Sequence, residues 1–255
     1  MASFSFNLAQ IGSSLTAPLV IVMPVYNEEA NIAAVIGTWS EALSVLDIPF
    51  QFVAVNDGSR DRSQEILLQL ESANPHLIRV VSKANGGHGS TCRIGYNIAV
   101  DSTADWVLQI DSDGQCDPTY FPEFWRRRGE ADCVFGVRTV RDDGQIRKLI
   151  SSACRFLTAL ATGRDLKDAN VPYRLMKREA LGRALERIPA DFDLQNIALT
   201  LALKRQPGLR WVYLPIRFRA RQGGSNSVHF LKIARMGWAM LRQIHRIGKP
   251  TQSRS

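Results

Sequence analysis

The sequence predicts an α/β fold, a mostly parallel central sheet with helices on both faces. Three observations predict it. Short, continuously apolar runs alternate with helical patterns through the first half, as in sheets whose strands are covered on both faces. Each of three runs ends in a polar cluster: Pro24-Val25-Tyr26-Asn27-Glu28-Glu29, Asn56-Asp57-Gly58-Ser59 and Asp111-Ser112-Asp113-Gly114-Gln115. The composition, 45% hydrophobic and 22% charged over 255 residues, belongs to a folding globular chain rather than a disordered one. This length suits one large domain or one domain with a tail. The expected division is a flexible N-terminal arm at 1–17, a main domain at 18–227 and a basic amphipathic helix and tail at 228–255.

Taken in order, Leu19 to Met23 is a β-branched run stopped by Pro24 and reads as a strand. A helical pattern follows from about Glu28 to Leu46. Phe50 to Val55 is the second strand, and the helix at 61–72 carries Asp61 near its start, where acid complements the helix dipole. Leu77 to Ser82 is the third strand, 89–101 the third helix, and Trp106 to Ile110 the fourth strand. The second half is less regular: a strand from Cys133 to Val137, an amphipathic helix at 145–161, a short strand from Tyr173 to Lys177, helices at 179–187 and 194–205, and a strand at 211–218. A Gly/Ser-rich basic loop, Arg219 to Ser227, precedes a closing helix at 228–247. In parallel sheets ligands bind outside the carboxyl ends of the strands. The three polar clusters fall there, so they should converge on one edge.

Asp111, Asp113 and Gln115 carry the strongest chemical signal. In extended backbone, side chains two apart point the same way. Two carboxylates and an amide oxygen facing one point suit a hard cation, Mg2+ or Mn2+, with coordination positions left for substrate phosphates. Asp57 is either an acceptor for a base or ribose or a plain turn residue. Tyr26 can flank a nucleobase and Glu28 can accept from its edge; Asn27 can instead cap the following helix. Gly86-Gly87-His88-Gly89-Ser90 resembles a dinucleotide fingerprint only loosely, and reads as a close-approach loop near a phosphate. Arg138, Arg141, Arg174, Arg178 and Arg221, with Ser225, are candidate phosphate ligands, since guanidinium forks match phosphate oxygens; each could equally form a surface salt bridge.

Charge is unevenly placed. The net charge is +8, yet from Leu194 to Ser255 there are twelve Lys or Arg and no Asp or Glu, which leaves the rest net acidic. Such asymmetry implies an anionic partner. The helix at 228–247 interleaves Phe230, Leu231, Ile233 and Trp238 with Lys232, Arg235, Arg242 and Arg246. It reads either as a core-packed helix or as one lying in a membrane interface, and the lack of carboxylates favours an anionic surface. No run reaches the ~20 apolar residues of a spanning helix, and no secretory signal is evident. The four cysteines show no close pairing, so reduced thiols and a cytoplasmic setting at a membrane face are expected. No nucleic-acid motif is visible, and nucleic acid is not expected as a partner.

The stretches VIVMPVYNEEANI, VAVNDGSRDRS, ANGGHGSTCRIGYNIA, WVLQIDSDGQCDP and FGVRTVRDDGQIRKLIS, with DANVPYRLMKREAL and RFRARQGGSNS more loosely, resemble family-2 inverting glycosyltransferases of the GT-A fold. The resemblance covers about residues 19–227. It is nearest to the dolichol-phosphate mannose synthases and bacterial polyprenyl-phosphate glycosyltransferases. It implies a Rossmann-like sheet, a nucleoside-diphosphate sugar as donor and a lipid phosphate as acceptor; the alternatives are a saccharide hydroxyl as acceptor in polysaccharide synthesis, or a non-enzymatic protein that binds nucleic acid or a nucleotide-sugar. It places Pro24, Tyr26, Glu28 and Asp57 at the nucleotide, with Ser112 and Gly89 nearby. Asp111, Asp113 and Gln115 would hold the metal, and Arg138 and the Arg221–Ser225 loop would lie near phosphates or acceptor. A hydroxyl acceptor would need a carboxylate base, Asp191 or Asp193. The chain departs from the family at Asn56, where a second Asp is frequent, at His88, where Lys is frequent, and at Val171-Pro172, where Ser-Gly is frequent.

Overall fold

The structure is a computed structural model that describes residues 8–140, 168–189 and 195–218. Its strands are β1 (Leu19–Val25), β2 (Phe50–Asn56), β3 (Ile78–Ser82), β4 (Trp106–Gln109), β5 (Cys133–Val140), β6 (Arg174–Lys177) and β7 (Trp211–Arg217). Its helices are α1 (Leu8–Ser13), α2 (Ile32–Val45), α3 (Ser63–Ala73), α4 (His88–Val100), α5 (Phe121–Arg127), α6 (Arg178–Leu185) and α7 (Gln195–Lys204). The seven strands form one sheet in the order β3-β2-β1-β4-β6-β5-β7. β1 pairs in parallel with β2 and β4, and β5 with β7; β6 alone runs antiparallel to both its neighbours. The carboxyl ends of the other strands, and the turn that enters β6, therefore share one edge.

Alternation along β1 divides the core in two. Val20 and Val22 join Tyr96 and Ile98 of α4, Leu181 of α6 and Leu199 of α7 on one face. Leu19, Ile21 and Met23 join Trp39 of α2, Leu67 of α3 and Phe121 of α5 on the other. A strand covered on both faces needs no polar positions, which is why its sequence is a continuous apolar run. Each such buried side chain contributes roughly 1.5–3 kcal/mol.

Several expectations change. Within the expected arm at 1–17, packing begins early: α1 lays Leu8 and Ile11 on the core and Leu15 enters it. The helix expected from Glu28 begins at Ile32. Asn27 does not cap it; its φ is 54°, and its Oδ1 accepts from Arg60 N at 2.8 Å. The stretch after the acidic loop, unassigned from sequence, is helical: Asp117 caps a short turn (Thr119 N to Oδ1, 2.9 Å) that leads into α5. Pro118 and Pro122 look like helix breakers but sit at first-turn positions, where proline is tolerated. The expected helices at 145–161 and 228–247 lie outside the described residues. Among the described residues, no helix is long and apolar enough to cross a membrane.

Two features test this packing. A Cβ added at Gly95 of α4 would fall inside contact distance of Val22 Cγ1 on β1. Gly95→Ala should therefore destabilise the chain by about 1–3 kcal/mol in denaturant unfolding, the range for an overpacked core. At the opposite edge of the sheet, Asp132 binds Lys177 Nζ (2.9 Å) and Arg210 (Nη2, 3.3 Å; backbone N, 2.9 Å). Burial raises its pKa, but the bonds from Arg210 and Lys177 outweigh that and hold it well below the ordinary 3.8. A depressed native pKa adds stability above the unfolded value and loses it as pH falls below. Asp132→Asn should thus flatten the fall in stability below about pH 4, as measured by urea midpoints across pH.

Candidate active site

The loops after β1 and β2 are laced together by side chains that satisfy backbone donors. Asn27 N donates to Ser59 Oγ (3.0 Å), Glu28 N to Ser63 Oγ (2.8 Å) and Glu29 N to Asp61 Oδ2 (3.1 Å). In return, Glu29 Oε2 accepts from Arg62 N (2.9 Å). Glu28 is buried and its Oε2 accepts from Asn31 Nδ2 (2.8 Å), whereas Tyr26 stands 42% exposed at the loop tip. Pro24, near the end of β1, accepts Ser112 Oγ on its carbonyl (2.8 Å), which ties the third polar loop to the first.

Asp57 faces the Gly-rich loop. Its carboxylate is buried and accepts from Gly86 N (2.8 Å), Gly87 N (2.9 Å) and Asn85 Nδ2 (3.4 Å), and it pairs with Lys83. Burial raises its pKa, but the Lys83 and Gly86 bonds prevail and lower it. The carboxylate expected to meet a base or ribose thus spends its oxygens on this loop, because β2 and β3 run side by side with Asn56 opposite Ser82. Lys83 was missed from sequence. The signal was its place directly after a strand, but only the register puts it beside Asp57. Past the loop, Gly87 (φ 88°) precedes α4, whose first turn contains Gly89, and His88 Nε2 lies 3.4 Å from Cys92 Sγ.

The acidic loop follows β4. It is a turn rather than the extended run assumed from spacing: β4 stops at Gln109, Gly114 has φ 76°, and Asp113 Oδ1 accepts from Gln115 N (3.1 Å). Asp111 Oδ1 is buried without a hydrogen-bond partner. A buried carboxylate oxygen of this kind is costly unless something positive meets it, so the donor set fits a hard cation. Among the described residues, no cluster of three His, Cys, Asp or Glu forms; an ion here would complete its shell with water or phosphate oxygens. Beneath the loop Tyr96 OH donates to Gln109 Oε1, fixing α4 to β4.

Arg138 extends β5 onto the same edge. The buried Cys116 thiol is pushed well up by burial and by Asp111, with Asp113 adding and Arg138 opposing, so one group senses all three charges. Arg138 binds Asp168 through Nε (2.8 Å) and Nη2 (2.6 Å). Arg174 is not a phosphate ligand. It is fully buried, and its guanidinium donates to the carbonyls of Val171, Ala169 (2.7 Å) and Asn196 (2.9 Å). Arg178 holds the end of α4 through the Ala104 (2.7 Å) and Val100 (3.3 Å) carbonyls. Arg141, Asp191, Asp193, Arg221 and Ser225 lie outside the described residues.

An acidic turn and a Gly-rich loop at the carboxyl edge of a sheet with one reversed strand define the GT-A class. Solved structures share this fold. Glucosyl-3-phosphoglycerate synthase from Mycobacterium tuberculosis, in complex with Mn2+, uridine-diphosphate and glucosyl-3-phosphoglycerate, is 18% identical over 99% of this chain and 88% of that one, with a TM-score of 0.62. Mannosyl-3-phosphoglycerate synthase from Rubrobacter xylanophilus is 16% identical over 98% and 80%, at 0.60. The family model for glycosyl transferase family 2 matches residues 20–185. This chain belongs to that family. It is similar to undecaprenyl-phosphate 4-deoxy-4-formamido-L-arabinose transferases, at 31% identity to that of Yersinia enterocolitica and 28% to that of Pectobacterium carotovorum, each over 87% of this chain. The chain spans 65% of the length of these curated relatives.

The Asp57 clip makes a local prediction. Asp57→Asn removes the acceptor charge for Gly86 N and Gly87 N, so hydrogen exchange at these two amides should quicken by about 10-fold or more, while the core amides of β1 remain protected. Unchanged exchange at both glycines would show that Asp57 does not hold the loop.

Proposed function

We propose that this chain transfers a sugar from a nucleoside-diphosphate sugar to a polyprenyl phosphate, with inversion at the anomeric carbon, at the cytoplasmic face of a membrane. The observation that carries the reading is the buried, partnerless Asp111 Oδ1 in a turn that Ser112 ties to Pro24. The similarity to transferases named for undecaprenyl phosphate supports the acceptor class. The carboxylate-free C-terminal quarter supports an anionic surface as partner, with 228–247 as the membrane contact.

Tyr26 flanks the nucleobase and Glu28 accepts from its edge, and the loop clipped by Asp57 brings its backbone and Gly89 close to the phosphates. Asp111, Asp113 and Gln115 would hold Mg2+ or Mn2+, which would supply electrostatic stabilisation of the departing diphosphate. An acceptor phosphate oxygen attacks the anomeric carbon. The bond from that carbon to the diphosphate oxygen breaks, and its electron pair leaves with the nucleoside diphosphate. A phosphate with a second pKa of ~6 is already largely ionised near neutrality, so no strong base is required; Asp193 would be needed only for a hydroxyl acceptor. Arg138 faces the acceptor phosphate.

Asp113→Ala should lower kcat/KM by about 100-fold or more, the scale for removing electrostatic stabilisation of a leaving group, with the unfolding temperature kept. Turnover of nucleotide-sugars would be followed with undecaprenyl phosphate and with Mg2+, Mn2+ or a chelator, and the product anomer read by NMR. Equal turnover in chelator, or by Asp113→Ala, would sink the metal assignment; a retained anomer would sink inversion.

A further inference from the structure

We propose that Asp168 is a positioning residue that aims the Arg138 guanidinium at the acceptor phosphate, and that Arg174 in turn holds the loop carrying Asp168. This deepens the function proposed above and rests on Arg138 being the cation that meets that phosphate.

Asp168 engages Arg138 at three points: Nε (2.8 Å), Nη2 (2.6 Å) and backbone N (3.1 Å). The two side chains are only 18% and 6% exposed. A guanidinium has five N–H donors in a rigid plane, and the carboxylate claims two along one edge. That fork fixes the plane of the group. The Phe218 ring, 5.3 Å from Arg138 Cζ, adds a further restraint. Asp168 itself sits at φ 34°, a conformation that Asp tolerates better than most residues. Its turn is closed by Val171 N on Asp168 O (3.0 Å). Arg174 donates to the Ala169 and Val171 carbonyls in this turn and to Asn196 of α7, and Thr200 Oγ1 also reaches Ala169 O (3.2 Å). The chain of support runs from the buried core to the edge of the site.

The location separates this pair from a merely structural one. The Asp132–Lys177–Arg210 cluster lies at the far edge of the sheet. Arg138 lies at the opposite, carboxyl edge, three residues past Phe135, which shares Arg174 as a strand partner with Gln109, after which the acidic turn begins. A structural pair would govern unfolding alone; a positioning pair governs acceptor use.

The test uses the whole chain, undecaprenyl phosphate in detergent micelles and whichever nucleotide-sugar the wild type consumes. Asp168→Asn, Asp168→Glu, Arg138→Lys and the double variant Asp168→Asn/Arg138→Lys are compared. Asp168→Asn should raise the acceptor KM by about 10- to 100-fold, as expected for a misplaced contact, with the donor KM changed by less than about 3-fold. Arg138→Lys should do the same. The double variant should be no worse than the poorer single, since two residues acting as one unit do not add. Where Asp168→Asn unfolds at assay temperature, Asp168→Glu carries the test: it keeps the charge but pushes the guanidinium away, and should still raise the acceptor KM. A lowered unfolding temperature with an unchanged acceptor KM overturns the proposal, as do losses that multiply in the double variant. A wild type that transfers sugar only to a non-phosphate acceptor overturns the parent reading instead.

Discussion

The hydrogen-bonded row Gln109–Arg174–Phe135, across β4, β6 and β5, is the constraint on which the site depends. It places the acidic turn two residues beyond one end and Arg138 three residues beyond the other. The middle member is a fully buried arginine. An unsatisfied charge at that depth costs several kcal/mol. Burial lowers the Arg174 pKa, while Asp168 and Asp111 act in the opposite sense. The guanidinium persists because the turn before β6 and the first residues of α7 turn three carbonyls toward it. Those carbonyls belong to the turn that enters β6 and to α7, so the cation and these elements stabilise each other.

The loops after β1 and β2 follow the same logic with their own side chains. A loop that leaves the end of a buried strand carries backbone donors that no ladder can satisfy. Here Ser59, Ser63 and Asp61 accept them from the neighbouring loop, while Asn27 and Glu29 return the bonds. Two segments about thirty residues apart are thus tied into one wall. A surface already ordered loses less entropy on binding. Asp57 extends the wall to a third loop through Gly86 and Gly87.

The strands of the first half were legible because continuous burial writes itself as a run of apolar residues, and their carboxyl-end polar clusters did converge on one edge. What stayed hidden depended on register or on direction. Arg174 looks like a phosphate ligand in isolation, since a four-residue strand such as Arg174–Lys177 gives no period from which to read direction or depth. Asp57 could be a turn residue or a ligand until the β2–β3 pairing set Lys83 and the glycines around it. The acidic turn was placed correctly at the end of β4 but with the wrong backbone, because Gly114 permits a positive φ that residue spacing alone does not reveal. The six-residue α1 is too short to show helical periodicity, and its anchor, Leu15, lies beyond its end.

Charge connects the described site with the rest of the chain. Among the described residues, two partly buried cations at the carboxyl edge have carboxylate partners, Lys83 with Asp57 and Arg138 with Asp168. Asp111 adds a buried negative oxygen without a hydrogen-bond partner. A diphosphate arriving from the donor and a phosphate arriving from the acceptor would both add negative charge to this balance. In a site of reduced dielectric such charges repel strongly, so the proposed reaction needs positive charge beyond these pairs. A divalent cation at the acidic turn would supply part of it. The sequence supplies the rest in one place, the twelve Lys and Arg after Asp193, unopposed by any carboxylate. On this reasoning the acidic turn and the basic C-terminal quarter would answer one electrostatic demand of the proposed reaction, the first at the leaving group and the second, beside Arg138, at the acceptor phosphate.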